Sequence, residues 1–124
     1  MSNANKIIIK AQGNRCIGII KVGVKKLFIT SQSGRMEEIN PLCVLDFYVN
    51  ESVQRGGHGR HLFETILEEE NVKPHMLAYD RPSNKFKNFL AKYYGLSNYV
   101  KQNNNFVVFD EYFQQPTTNS NNYR

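Results

Sequence analysis

The sequence predicts an α/β domain built on a mixed sheet with two crossover helices. Three observations lead there. Short runs rich in Ile, Val, Leu and Phe recur along the chain, and two stretches carry apolar residues at helical spacing. A glycine-rich turn, V-Q-R-G-G-H-G at residues 53–59, joins the strongest apolar run to the first of those stretches. With 124 residues, 40% of them apolar, eight Phe and seven Tyr, the chain suits a single domain with a substantial core.

Residues 6–11 and 15–22 read as strands joined by a hairpin turn at Gly13-Asn14, and residues 24–30 as a third strand entered through a turn at Gly23. Together they predict an antiparallel meander. Residues 31–40 are polar, include Gly34, and read as a loop. Residues 42–49 form the strongest strand, with Cys43, Leu45, Phe47 and Val49 on one face and Val44, Asp46 and Tyr48 on the other. Leu62, Phe63, Ile66 and Leu67 recur at helical spacing and Pro74 blocks extension much past Asn71, so a helix is predicted over 59–70. Residues 76–79 read as a short strand. Ser83 is an N-cap for a second helix with the stripe Phe86, Phe89, Leu90 and Tyr93, ended by Gly95. Residues 106–109, extending toward 113, read as the last strand. The segment 114–124 is rich in Asn, Gln and Thr and contains Pro116; it is predicted to be a disordered tail, leaving 1–113 as the domain.

A net charge of +5 and a pI near 9.3 favour an acidic partner: nucleic acid, an acidic protein surface or a polyphosphate-bearing ligand. The Asn-rich 103–105 and aromatic 106–113 lack a K/R-G-F/Y-G/A-F string, so they read as sheet core and nucleic acid is set aside. No apolar stretch approaches the ~20 residues of a bilayer span, so no membrane partner is expected and the protein is predicted to be soluble. Cys16 and Cys43 lie within apolar runs with no leader segment before them, which predicts a reduced, cytoplasmic compartment. They are far apart and no paired His spacing accompanies them, so no metal is expected.

Gly56, Gly57 and Gly59 lack a β-carbon, so the backbone of the turn can approach a phosphate while its N–H groups and a helix N-terminus face the anion. Taken alone, the turn is equally well a tight connection. It has neither the Lys-[Ser/Thr] of a P-loop nor a G-x-G-x-x-G. What remains is Gln54-x-x-Gly57-x-Gly59 at a strand-to-helix junction, which resembles the Q/R-x-x-G-x-G/A loop of the GCN5-related N-acetyltransferases (GNAT), where it holds the pyrophosphate of acetyl-CoA. The likeness narrows with P-L-C-V-L-D-F-Y-V-N-E-S-V-Q-R-G-G-H-G-R at 41–60, A-Y-D-R-P-S at 78–83, Y-G-L-S-N-Y at 94–99 and N-N-F-V-V-F at 104–109. In these strings, and in I-G-I-I-K-V-G-V-K-K-L-F-I at 17–29, the chain resembles the α-tubulin N-acetyltransferases.

That resemblance implies acetyl-CoA as co-substrate, with two contact stretches. The first begins on the strand end with Phe47, Tyr48, Val49 and Asn50 and runs through Glu51, Ser52, Val53, Gln54, Arg55, Gly56 and Gly57 to His58, Gly59 and Arg60. The second is Ser83, Asn84, Lys85, Phe86 and Lys87, then Asn88, Phe89, Leu90, Ala91 and Lys92. Strand backbone would serve the pantetheine arm and loop amides the pyrophosphate. Arg55, Arg60, Lys85 and Lys92 would add charge to the phosphates; any one of them taken singly also reads as part of a solvated helix face. His58 and His61 read as loop and helix-start residues near phosphate.

The resemblance also implies Asp80 for catalysis or positioning of the acceptor lysine, with Cys43 as its companion. An amine of pKa ~10.4 must lose a proton before it attacks a thioester, and a carboxylate at a strand end can attract the ammonium or relay that proton. From its neighbours alone, Asp80 before Arg81-Pro82-Ser83 is a turn or helix-start aspartate, and Cys43 alone is a small buried hydrophobe. The superfamily transfers acetyl directly, so an acyl-cysteine is not required.

The family's domain starts with a strand and helices ahead of the meander, whereas here the second strand follows Met1 almost directly, so a domain lacking those elements is expected. A sheet face left bare by their absence would expose apolar residues. The implied function is acetyl transfer to the ε-amine of a luminal α-tubulin lysine, in microtubules of the cytoskeleton and cilia. The alternatives are a non-catalytic acetyl-CoA- or microtubule-binding module and an acetyltransferase for another protein lysine.

Overall fold

The computed structural model describes residues 5–50 and 57–114. A five-stranded sheet runs in the order β1-β2-β5-β6-β7, and β3 and β4 form a separate two-stranded sheet. The strands are β1 Lys6–Gln12, β2 Arg15–Val24, β3 Leu27–Thr30, β4 Met36–Ile39, β5 Leu42–Val49, β6 Ala78–Asp80 and β7 Phe106–Val107; the helices are α1 His58–Glu70 and α2 Asn84–Tyr94. β5 and β6 run parallel, joined by α1, while every other pairing is antiparallel. The fold is therefore the expected mixed sheet with helices between strands.

The start of the chain is not a three-stranded antiparallel meander. β2 runs unbroken through a buried Gly23 to Val24 and pairs with β1 on one side and β5 on the other; β3 leaves the sheet and pairs with β4. Residues 31–40 are correspondingly not one loop, because Met36–Ile39 pairs in register with Thr30–Leu27. The sixth strand begins two residues later than predicted, as Pro74–Met76 turns in a 3-10 helix. The last strand is only Phe106–Val107; Phe109 makes an isolated bridge to Tyr99, and Asp110–Gln114 closes into a 3-10 helix. Cys16, although it lies within an apolar run, is exposed, whereas Cys43 is buried. The predicted tail, apart from Gln114, lies outside the described residues.

Strict alternation along β5 is broken by a register shift: Lys21 faces Asp46, but Val22 faces Val44, so Leu45 is an extra residue in β5. Such a bulge bends a strand and re-aims its side chains. Val44 therefore packs with Phe47 and Leu42 against the helices, while Cys43 and Leu45 join the opposite layer.

Both sheet faces carry apolar layers. Leu62, Phe63 and Ile66 of α1 and Phe86 and Leu90 of α2 are buried against Ile20, Val22, Val44 and Tyr79. Phe63 is the hub, meeting Phe86, Phe89 and Tyr94 edge-on at 5.7, 5.8 and 5.6 Å. The other layer places Leu27 and Ile29 of the β3–β4 hairpin on Cys43, Ala78 and Val108. Beyond the hairpin, Ile9 lies across from Ile19 and Ile19 from Tyr48, and among the described residues Ile7, Ile9 and Tyr48 are 57%, 60% and 54% exposed.

Candidate active site

β5 and β6 share only two register pairs, Cys43 with Ala78 and Val44 with Tyr79. Beyond Val44 the bulge carries β5 away while β6 ends at Asp80, so the two parallel strands separate. The gap is lined by residues 44–47 on one side and Tyr79, Asp80, Arg81, Pro82 and Ser83 on the other, with Phe86 and a volume of about 180 Å³. Backbone of β5 past Val44 has no pairing with β6 and faces this opening.

Phe47, Ser83 and Phe86 also line a larger cavity of about 580 Å³, completed by Tyr48, Val49, Gly57, Gly59, Arg60, Lys85, Phe89 and Tyr93. That size falls within the ~300–1,000 Å³ of small-molecule and cofactor clefts. The start of α1 borders it. Gly57 caps the helix with φ 76°, the first helical bond runs from His61 N to Gly57 O, and no acidic residue occupies the first turn. The N–H groups of His58, Gly59 and Arg60 therefore have no intrahelical acceptor, and no carboxylate of the helix's own first turn neutralises the positive end of its dipole. Nδ1 of His58 is buried and makes no hydrogen bond among the described residues. This donor-rich start fits an anionic ligand such as a pyrophosphate.

The predicted contact residues divide by position. Phe47, Tyr48, Val49, Gly57, Gly59 and Arg60 line the larger cavity, whereas 51–56 lie outside the described residues. Of the α2 stretch only Ser83, Lys85, Phe86 and Phe89 reach it. The reason is helical periodicity, since Lys85, Phe89 and Tyr93 share one face. Lys87 instead donates to the Tyr99 hydroxyl at 3.2 Å and lies over that ring, beside a different hollow, and Leu90 is core. Asn84, Asn88 and Ala91 are exposed, and Lys92 lies over the Tyr93 ring. Tyr93 itself, read from the sequence as core, lines the cleft and is 43% exposed.

Asp80 ends β6 and lines the smaller gap, its carboxylate 3.3 Å from Arg81 Nε. The chain turns sharply behind it: Arg81 takes φ 43° and donates its N–H to the Asn105 carbonyl, and Asn105 is itself left-handed at φ 65°. Such non-glycine conformations cost on the order of 1–2 kcal/mol each and persist where surrounding contacts impose them. Cys43 is fully buried, its Sγ bonding weakly to the Pro41 carbonyl at 3.5 Å. Burial pushes its thiol up to about 12, with Lys25 pulling down and Asp80 adding a smaller push upward. At neutral pH it is a thiol, not the thiolate that nucleophilic cysteine chemistry uses.

Among the described residues no three His, Cys, Asp or Glu side chains gather as a metal site, and no helix is long and apolar enough to cross a membrane.

The family described as GNAT acetyltransferase, Mec-17 matches residues 5–124. An alpha-tubulin N-acetyltransferase of Tetrahymena thermophila is 52% identical over 116 residues, covering 94% of this chain and 29% of that protein. Those of Leishmania infantum and Trichoplax adhaerens are 51% identical over 114 residues and 57% over 100, covering 90% and 80% of this chain and 46% and 42% of theirs. The chain thus spans less than half the length of these curated relatives. Among solved structures, a tyrosine-to-phenylalanine mutant of KacT superposes with TM-score 0.58 at 15% identity, covering 90% of this chain and 73% of that one. A mutant AtaT toxin, bound to the C-terminus of the antitoxin AtaR and acetyl-CoA, gives 0.52 at 17%, covering 77% and 62%. At such identities the structural likeness speaks for the fold alone.

Proposed function

The chain belongs to the Mec-17 family of GNAT acetyltransferases, and from that premise we propose that it transfers acetyl from acetyl-CoA to a lysine ε-amine of α-tubulin, the acceptor lying on the luminal side of microtubules. One observation carries the proposal beyond the family: a glycine-capped, acid-free helix start borders a cleft that runs on to the gap where β5 leaves β6. The thioester supplies an activated acetyl group; this chain's residues supply its seat and the handling of the amine.

In this reading the N-terminal amides of α1, with Arg60 and Lys85, take the phosphates, and Phe47, Val49 and Phe89 line the path of the pantetheine arm. The side of β5 turned away from β2, which beyond Val44 has no register pair in β6, accepts and donates hydrogen bonds along that arm and stabilises charge on the thioester oxygen. Asp80 draws in the lysine ammonium and takes its proton, directly or through water, so that the amine attacks the carbonyl carbon; the C–N bond forms, the C–S bond breaks and the thiolate leaves. Cys43 lies near enough for Asp80 to act on it electrostatically, and its protonated state suits direct transfer. The setting proposed is the microtubule cytoskeleton, cilia included, and the positive net charge suits an acidic protein surface.

The test is transfer of labelled acetyl from acetyl-CoA to assembled microtubules, comparing this chain with Asp80→Asn. Lysine acetylation that falls by about 10²-fold or more in the variant, at unchanged acetyl-CoA affinity, supports the proposal. Binding of acetyl-CoA without transfer by the parent chain would favour a binding module.

A further inference from the structure

Resting on that reading, we propose that Glu64 and Tyr94 are positioning residues that hold the Arg60 guanidinium at the mouth of the cleft, preset for the nucleotide phosphates of acetyl-CoA.

Arg60 occupies the first turn of α1, where the helix dipole disfavours a cation, and its i,i+4 pairing with Glu64 runs in the less favourable direction for a helix. Helix stability therefore does not account for an arginine at this position; an anion bound at the helix start does. Three contacts fix it there. Glu64 accepts from Arg60 Nε at 3.0 Å, a bond that does not use the terminal Nη donors. The Tyr94 hydroxyl, arriving from α2, donates to the same Glu64 oxygen at 3.0 Å. The guanidinium lies over the Tyr93 ring, 4.6 Å from its centroid, and Arg60 and Tyr93 both line the cleft.

The network thus ties two helices together across the cleft mouth, unlike an ordinary surface ion pair on one helix. Its charge state is constant across the physiological range. Arg60 and then Tyr94 hold the Glu64 carboxyl below its ordinary value, while burial, followed by the bond to Glu64, pushes Tyr94 up to about 12. A guanidinium held over an aromatic ring and bonded through Nε loses less freedom on meeting a phosphate than a mobile side chain does.

The experiment compares Glu64→Gln and Tyr94→Phe with the parent chain for binding of acetyl-CoA and of S-acetylpantetheine, which carries the thioester arm without the nucleotide phosphates. Both variants are expected to weaken acetyl-CoA about fivefold or more and to leave S-acetylpantetheine unchanged, and Glu64→Gln is expected to add little on top of Arg60→Ala. Equal weakening of both ligands would overturn the proposal by making the network a general support of the fold. Unchanged acetyl-CoA affinity would overturn it as well, leaving a surface bridge. A parent chain that binds neither ligand would instead sink the acetyltransferase reading itself.

Discussion

Gly59 sets the first turn of α1 directly against Val49: a β-carbon at position 59 would stand 3.3 Å from Val49 Cγ2 and 3.6 Å from Phe47 Cζ, two residues that line the cleft. Gly57 is constrained differently. Its φ of 76° is left-handed, and a β-carbon there would meet nothing within 4 Å. Gly57→Ala is therefore expected to cost about 1–2 kcal/mol of stability through backbone strain, with the cleft walls in place. Gly59→Val is expected to displace the wall and weaken acetyl-CoA binding more than Gly57→Ala does. Thermal unfolding and calorimetric titration of the two variants separate the effects; equal losses of affinity would contradict the division.

The sequence carried the helices and the cleft walls because their signals are local. Ser83 accepts from Phe86 N at 3.1 Å and Gly95 ends α2 at φ 68°, as the capping pattern predicts. β4 was not legible because M-E-E-I is half charged and is fixed only by pairing with β3. Nor was the bulge at Leu45, since an extra residue in β5 is defined by its partner strand and not by its own alternation. Tyr93 and the Glu64–Tyr94 pair escaped for a related reason: where a helix stripe leaves the core for a cleft depends on the opposing helix.

Cys43 provides a sharp test of direct transfer. A fully buried thiol pushed up to about 12 is slow to react, whereas Cys16 is exposed. Iodoacetamide is expected to label Cys16 well before Cys43 in the folded protein. Cys43→Ala should cost on the order of 1 kcal/mol of stability from the lost packing volume and leave acetyl transfer within about twofold. Labelled acetyl trapped on Cys43 during turnover would show instead that the proposed transfer passes through an acyl-cysteine.

Alkaline pH should unfold the protein through the same physics. Cys43 rises from an ordinary 9.0 to about 12 and Tyr94 from 10.0 to about 12, both chiefly because burial penalises the ionised form, and Tyr79 is likewise pushed well above 10.0. Above their ordinary values the unfolded chain has released these protons while the folded protein keeps them, so the unfolded state binds fewer protons and stability falls with pH. The stabilisation is complete below about pH 9 and is lost progressively toward about pH 12. Melting temperatures measured from pH 7 to 11 should decline from about pH 9 onward, and Cys43→Ala should shallow the decline. A flat profile would mean that these groups ionise freely in the folded state.

Gln102 links the β3–β4 hairpin to the turn behind Asp80. Its side chain is buried and bonds both backbone groups of Thr30, accepting from N and donating to O at 2.8 Å each, while Nε2 also donates to the Val100 carbonyl at 3.2 Å. From Gln102 the connection continues through backbone: the Asn105 N–H donates to the Gln102 carbonyl at 3.4 Å, and the Asn105 carbonyl accepts from Arg81 N–H at 3.1 Å. That last bond secures the left-handed Arg81 immediately after Asp80. Truncation at position 102 leaves the Thr30 groups unpaired, which costs about 1–3 kcal/mol. Because the turn behind Asp80 then loses part of its support, Gln102→Ala is expected to lower the rate of acetyl transfer as well, with acetyl-CoA affinity unchanged, since the cleft walls on β5, α1 and α2 do not depend on Thr30. Urea unfolding measures the first effect, and kcat alongside the acetyl-CoA dissociation constant measures the second. A variant that loses stability but keeps its full kcat would show that Asp80 is held in place by its contact with Arg81 and its register pairing with Phe106 in β7, independently of the hairpin.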